Sequence, residues 1–298
     1  PTGVNKILVE KYGYEWVNGK AWKPGTAPEV ETSSSDKLEI TKEKVDVSTL
    51  QPGAEKHEYI SFKMTGDPVI DALTQGSYWK IGSNDNLTFA VAGGLNGEAW
   101  IDQNMVGSSL QQAFQQLTKY TNANVEYLGY FDDAIDANAN GAEIVLSLDN
   151  EGVFFDGPDQ WAIGFFPSDA LDIYDNIAGD MYLNINSEAN YLPSYAPGST
   201  GWKLLLHELG HALGLKHPHD AAGGRPTLRD VDLGRYDSDV YTVMSYNDFG
   251  FNDIKYSPSD FMVGDVVALQ YLYGKNEASN QGDSEYHIKR SDLYETIW

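Results

Sequence analysis

The chain has 298 residues, a length that suits one large domain or two small ones. Its 20 Lys and Arg stand against 44 Asp and Glu, a formal net charge of −24. That balance argues against a nucleic-acid binder, which needs clustered cations, and against an anionic membrane surface as partner. Cysteine is absent, which excludes disulfide scaffolds, thiolate metal sites and cysteine nucleophiles. Apolar residues make up an ordinary 41%, so the acidity is not a signature of disorder. Acidic surfaces keep secreted proteins soluble, and carboxylates can hold Ca²⁺. The longest apolar stretch, 261–273, is interrupted by Asp265 and is too short to span a bilayer. Residues 1–20 carry no basic segment followed by an apolar one, so no signal peptide is visible. The chain starts at Pro1, and a mature form or an excised piece is expected.

In chain order, 4–22 reads as strands around Asn18-Gly19, the dipeptide a type I′ hairpin favours. Residues 23–56 are rich in charge, Ser, Thr and Pro and read as a linker, with a short strand at Leu38–Ile40. The division predicted is an N-terminal extension over 1–70 and a catalytic domain over 71–298. Strands are predicted at Leu87–Ala92, Val125–Phe131, Ala142–Leu148, Trp161–Phe166 and Met181–Ile185. Leu110, Phe114 and Leu117 recur at helical spacing, which predicts a helix over 108–118. A second helix is predicted over 201–213 with Ser199 or Thr200 as its cap, and a third over 259–273 capped by Ser259 and ended by Gly274. Strands mixed with three long helices indicate an α/β or α+β domain; α+β is the class expected.

The chemistry is concentrated in 207–217, which reads H-E-x-x-H-x-x-G-x-x-H. At about 100° per residue, His207 and His211 lie about 40° apart and one turn along a helix, so both imidazoles can face one Zn²⁺. Glu208, about 100° round from His207, is out of line as a ligand but can reach water beside the ion. In a continuing helix His217 would lie about 15 Å beyond His207. Gly214 supplies the break that brings it back, since glycine accepts positive φ. Trp202, Leu206, Leu209 and Leu213 cluster on the opposite face and predict a core-facing side.

This constellation resembles the metzincin clan of zinc endopeptidases. Pro218 follows the third histidine, and Val243-Met244-Ser245-Tyr246 resembles the clan's Met-turn. A tyrosine two places after the methionine is similar to the serralysin and astacin branches, and the lack of cysteine favours serralysins. The resemblance covers about 70–298 and includes 179–184 and 265–274. The glycine- and aspartate-rich calcium-binding repeats usual in serralysins do not occur here, so either an excised catalytic portion or a compact relative is expected. The resemblance implies a metzincin-like fold, with a twisted mixed sheet and the zinc helix beneath the cleft. It also implies a secreted, extracellular zinc endopeptidase in which zinc-bound water is the nucleophile and Glu208 the general base. Tyr246 would stabilise the oxyanion and serve as a fifth ligand in the free enzyme, while Met244 packs beneath the metal. Substrate would lie extended along an edge strand, and 161–166 is the candidate.

Lesser features carry less. His219 reads as a solvent-exposed side chain. The run 136–141 matches the first half of an EF-hand loop but lacks its twelfth-position Glu, so an ordinary acidic turn is expected. The acidic stretch 229–239 could hold Ca²⁺ or be solvated. Residues 62–67 invite comparison with an inhibitory aspartate, but a surface turn is expected. The cofactors expected are catalytic Zn²⁺, with Ca²⁺ as a second candidate. The partners expected are protein or peptide substrate, with neither nucleic acid nor membrane, for a monomeric chain. Two other functions stay open: a narrow-specificity processing domain of a larger secreted or surface protein, and a zinc-stabilised binding module without turnover.

Overall fold

A computed structural model of the chain describes residues 15–17, 20–22, 58–149, 154–155, 158–168, 177–187, 195–251, 254–255, 257–278 and 293–297. Strands β1 (Glu15–Val17) and β2 (Lys20–Trp22) pair antiparallel with Val17 opposite Lys20, the register of a two-residue hairpin. Asn18-Gly19 itself and the expected strand at Leu38–Ile40 lie outside the described residues. Next come β3 (Tyr59–Ser61), helix α1 (Pro68–Leu73) and β4 (Ser77–Trp79), with β3 antiparallel to β4. Then follow β5 (Asn86–Ala92), α2 (Gln103–Tyr120), β6 (Asn124–Phe131), α3 (Ala134–Ala139) and β7 (Ile144–Asp149). They are succeeded by β8 (Ala162–Gly164), β9 (Met181–Asn184), α4 (Thr200–Ala212), β10 (Gly250–Phe251) and β11 (Ile254–Lys255). Strand β12 (Ser257–Pro258), α5 (Val263–Tyr273) and β13 (Leu293–Tyr294) complete the order.

The fold is α+β. Its main sheet has five strands in the order β6-β5-β7-β9-β8, so β8 ends one edge. The first four run parallel and β8 is antiparallel to β9. The period-2 alternation of strands divides their side chains between two cores. Leu87, Phe89, Val91, Ile144, Leu146, Met181 and Leu183 pack with α2, α4 and α5. Ala90, Ala92, Val145 and Tyr182 face the other way, toward Ala134 and Ala137 of α3 and toward Phe155, Phe165 and Ile177. The small alanines of β5 and α3 allow that second layer to be thin. Phe89 and Phe114 stack with centroids 3.8 Å apart and fix α2 on β5.

Helix starts follow local capping. Asp67 accepts from Val69 and Ile70 N–H, with Pro68 at the first helical position. This makes 62–67 the lead-in to α1, in line with the surface turn expected there. Helix α2 begins at Gln103 rather than at 108, because Asp102 accepts from Met105 N–H. Ser199 caps α4 by accepting from Trp202 N–H at 3.1 Å. The third long helix starts at Val263, and Ser259 does not cap it: 257–258 is strand β12, paired with β13. The Asp265 carboxylate accepts from Met262 N–H at 2.9 Å and sets the start there. The acidic run 136–141 is also corrected. Residues 136–139 lie in α3, capped by Asp133, and the turn is confined to Asn140-Gly141.

Chain 58–79 is built into the body around α4. Helix α1 packs on α5, and Leu73 is fully buried. Trp79, 1% exposed, donates from Nε1 to the carbonyl of Ala212 at the end of α4, 2.9 Å away. Trp79→Phe should leave that carbonyl unpaired and a void where the larger ring lay. We expect a loss of about 1–3 kcal/mol, measured as a lowered urea midpoint with unchanged m-value.

Candidate metal centre

Helix α4 buries Trp202, Leu205, Leu206 and Leu209 in the core and presents His207 and His211 from its other face. It ends in a Schellman motif: Leu215 N–H donates to Gly210 O at 2.8 Å and Gly214 N–H to His211 O at 2.9 Å. Gly214 sits at φ 101°, and a Cβ there would strike the carbonyl of Ser77. After the turn the chain runs beside 73–75, with Lys216 N–H donating to Leu73 O at 2.9 Å and Gln75 N–H to Gly214 O at 2.8 Å. This reversal returns His217 to the helix face.

His217 Nε2 lies 3.1 Å from both His207 Nε2 and His211 Nε2. His207 Nδ1 is 2.9 Å from the carbonyl of Val243, and His211 Nδ1 is 3.0 Å from that of Leu215. A carbonyl only accepts, so each Nδ1 carries the hydrogen and each Nε2 a lone pair. Burial pushes His207 down to about 3, His217 to about 4 and His211 well below its ordinary value. The rings are therefore neutral, which is the ligand form. The converging nitrogens cannot satisfy one another: at best one N–H is shared between two lone pairs. A cation at their centre satisfies all three. Nitrogens held 2.0–2.1 Å from one tetrahedral ion lie about 3.3–3.4 Å apart, close to the separations seen. Among the described residues, this triad is the group of His, Cys, Asp or Glu able to hold a metal. The stretch 229–239 contributes to no such group.

Glu208 is 4% exposed. Burial pushes its carboxyl up to about 8, opposed by a hydrogen bond from the Gly164 N–H of β8. A Cβ on Gly164 would lie 2.6 Å from Glu208 O and 3.1 Å from Glu208 Oε2, so the edge strand lies directly against the site. Tyr246 places its hydroxyl 2.9 Å from His217 Nε2 while much of its ring is exposed. Met244 is fully buried, with Sδ against Gly210 where a Cβ would collide. His219 is not one of the converging ligands; its ring stacks on that of His217.

Several supporting residues were not singled out from the sequence. Lys216 is 1% exposed, and its ammonium donates to the carbonyls of Asp220 at 2.6 Å, Pro226 at 3.0 Å and His217 at 3.2 Å. The one signal for it was a lysine set between Leu215 and His217. Asp265 accepts from Thr242 Oγ1 at 2.6 Å and Val243 N–H at 2.8 Å. It thereby fixes the residue whose carbonyl holds His207; burial pushes its carboxyl up to about 7 against those bonds. Lys203 bridges Asp239 at 2.9 Å and Asp248 at 2.7 Å beside the Tyr246 loop.

The sharp turn after α4 and the converging imidazoles form a histidine cluster able to hold a metal, on an H-E-x-x-H helix. Curated relatives carry the comparison further. The chain is 38% identical over 117 residues to metalloprotease AprA of Pseudomonas entomophila, 36% of this chain and 24% of that protein. It is 34% identical over 133 residues to serralysin G of Dickeya chrysanthemi, 42% of this chain and 25% of that protein. Serralysin of Proteus mirabilis is 36% identical over 107 residues, 34% of this chain and 22% of that protein. Over the matched stretch the chain is homologous to serralysin-type metalloproteases. The match spans about a quarter of the length of these relatives. No family model matches the chain.

Two outcomes follow from the geometry. Lys216→Met removes the donor to three carbonyls and should release the loop that carries His217. With Zn²⁺ as the probe ion, we expect affinity to fall by about 10–100-fold, as for lost outer-shell support, in competition with a fluorescent chelator. The second concerns pH. Glu208 has a folded value raised to about 8 from 4.5. Its contribution to stability is therefore fully present below pH 4.5 and lost as pH rises through 8. In metal-free protein, Glu208→Gln should gain on the wild type in urea midpoint between pH 5 and 8.5. In zinc-loaded protein the gain should shrink, because a cation favours the carboxylate.

Proposed function

We propose that the chain is a zinc-dependent endopeptidase that hydrolyses internal peptide bonds. The observation that carries this reading is the convergence of the three Nε2 atoms of His207, His211 and His217 beside a buried carboxylate that is not among them. Neutral imidazoles in a tetrahedral set suit zinc. Zinc held there supplies Lewis acidity, acidifying water and polarising a carbonyl. Glu208 takes a proton from attacking water and returns it to the leaving amine. The Gly164 N–H hydrogen bond steadies its carboxylate, and the wall of core side chains beneath it excludes bulk water. The Tyr246 hydroxyl donates to oxygen charge that develops at the scissile carbonyl. Met244 supports the histidines by packing and ligates nothing.

The position of β8 at the sheet edge supports an extended protein or peptide substrate added along it. The fold is proposed to be metzincin-like on these features. The catalytic unit proposed is 71–298, and the β3–β4 pairing favours counting 58–70 with it. Secretion to the extracellular space is proposed on the acidic composition and on the serralysin relatives; no described helix is long and apolar enough to cross a membrane. Calcium is proposed only as a second ion, on carboxylate content.

Glu208→Gln tests the reading. The variant should keep one zinc per chain and the fold while hydrolysis of casein or a fluorogenic peptide falls about 10²–10⁴-fold. A zinc chelator should abolish wild-type turnover. Unchanged kcat in the variant, or full activity of metal-free protein, overturns the mechanism.

A further inference from the structure

His219 lies two residues beyond the third histidine, outside the converging set. Residues 217–220 form a turn closed by Asp220 N–H donating to His217 O at 3.2 Å, with Pro218 at the position whose fixed φ favours such turns. The turn sets the His219 ring parallel to that of His217, at 4° and 5.2 Å between centroids. The same ring meets Tyr246 at 4.9 Å and 50°. Tyr246 also contacts the His217 ring at 4.6 Å and stacks on His207 at 5.5 Å. A side chain this exposed has no core to hold it, so its orientation depends on these ring faces.

A second link joins the same two loops. His219 Nδ1 lies 3.8 Å from Asp237 Oδ2. Asp237 Oδ1 accepts from Ser245 Oγ at 2.6 Å, and its backbone carbonyl accepts from Asn247 Nδ2 at 3.0 Å. Asp237 thus grips the residues on both sides of Tyr246, and His219 leans on Asp237 and on the Tyr246 ring together.

We propose that His219 is a positioning residue for Tyr246, holding the phenol over His217 through ring contact. It rests on the peptidase reading given above. Ring contacts of this kind are strong enough to bias a mostly exposed side chain among its rotamers. His219→Ala should let the phenol swing, costing kcat because the hydroxyl acts in the transition state, with KM nearly unchanged.

The test uses the full zinc-loaded chain with wild type, His219→Ala, His219→Phe, Tyr246→Phe and the His219→Ala/Tyr246→Phe double variant. Zinc content and kcat and KM on one fluorogenic peptide are measured for each. We expect His219→Ala to lose about tenfold in kcat, part of the 10²–10³ that a lost oxyanion donor costs, with full zinc occupancy. His219→Phe, which keeps a flat ring, should recover most of it. In the Tyr246→Phe background the same substitution should change kcat by less than about twofold. Carbon-13 labelling of tyrosine rings gives a readout independent of turnover. The Tyr246 resonance, assigned by its loss in Tyr246→Phe, should shift toward its unfolded position in His219→Ala and stay near the wild-type position in His219→Phe. Wild-type kcat in His219→Ala, an equal loss in both backgrounds, loss of zinc, or an unmoved Tyr246 resonance overturns the proposal. An inactive wild type with the expected resonance shift overturns the peptidase reading instead and leaves the positioning role standing.

Discussion

Three imidazole Nε2 atoms converge on one point, and at least two of them bring lone pairs there, an arrangement that a cation satisfies better than the rings satisfy one another. The rest of the structure is organised around enforcing it. Two Nδ1 atoms are committed to backbone carbonyls at 2.9 and 3.0 Å, which leaves His207 and His211 with Nε2 lone pairs facing the third ring. Gly214 at φ 101° turns the chain, and Lys216 then ties off the loop that carries the third ring. Each of these elements is otherwise unfavourable: a left-handed turn, a buried ammonium, and imidazoles held neutral by desolvation. The metal proposed for the centre would answer all of them.

The supports come from distant parts of the chain. Asp265 in the first turn of α5 holds Val243, Val243 holds His207, and Met244 fills the space above Gly210. Trp79 from β4 closes the far end of α4. Arg225, 4% exposed, binds Asp71, Thr74 and the carbonyl of Phe62, so the loop after His217 is also fastened to α1. The helix that carries His207 and His211 is thus clamped from N-terminal and C-terminal sides by residues 22 to 163 positions away from their partners.

Much of this was legible in the sequence because the ligands obey local rules. Helical spacing placed His207 and His211 on one face, and glycine at 214 required a reversal before His217. The strands followed from their period, and the edge candidate at 161–166 came from the family resemblance. What was not legible depended on non-local partners. Ser259 had the right chemistry for a cap, but Asp265 took that role because its carboxylate also had to meet Val243. Helix α3 was hidden because 136–141 reads equally as an acidic loop, and only burial of Ala134 and Ala137 against β5 and β7 decides for helix. Lys216 carried little local signal for burial; three carbonyls collected by the returning loop made the interior habitable for it. Tyr246 was readable from its place after the methionine, whereas the flat stacking of His219 depends on a turn geometry that spacing does not encode.

The ligands span 207–217, but the carbonyl that orients His207 belongs to Val243 and the carboxylate behind it to Asp265. The three imidazoles can therefore find one another in a chain that has folded nothing else, since closing so short a loop costs little entropy. For the proposed metal, an unfolded chain of this sequence would itself compete as a chelator. Any ion it holds lowers the stabilisation that metal binding gives the native state, because only the difference in affinity between folded and unfolded forms shifts the equilibrium. The distant supports, rather than the histidines, are what make that difference large. A thermal shift on adding the proposed metal would thus measure how well the orienting carbonyls are built, not how many ligands are present.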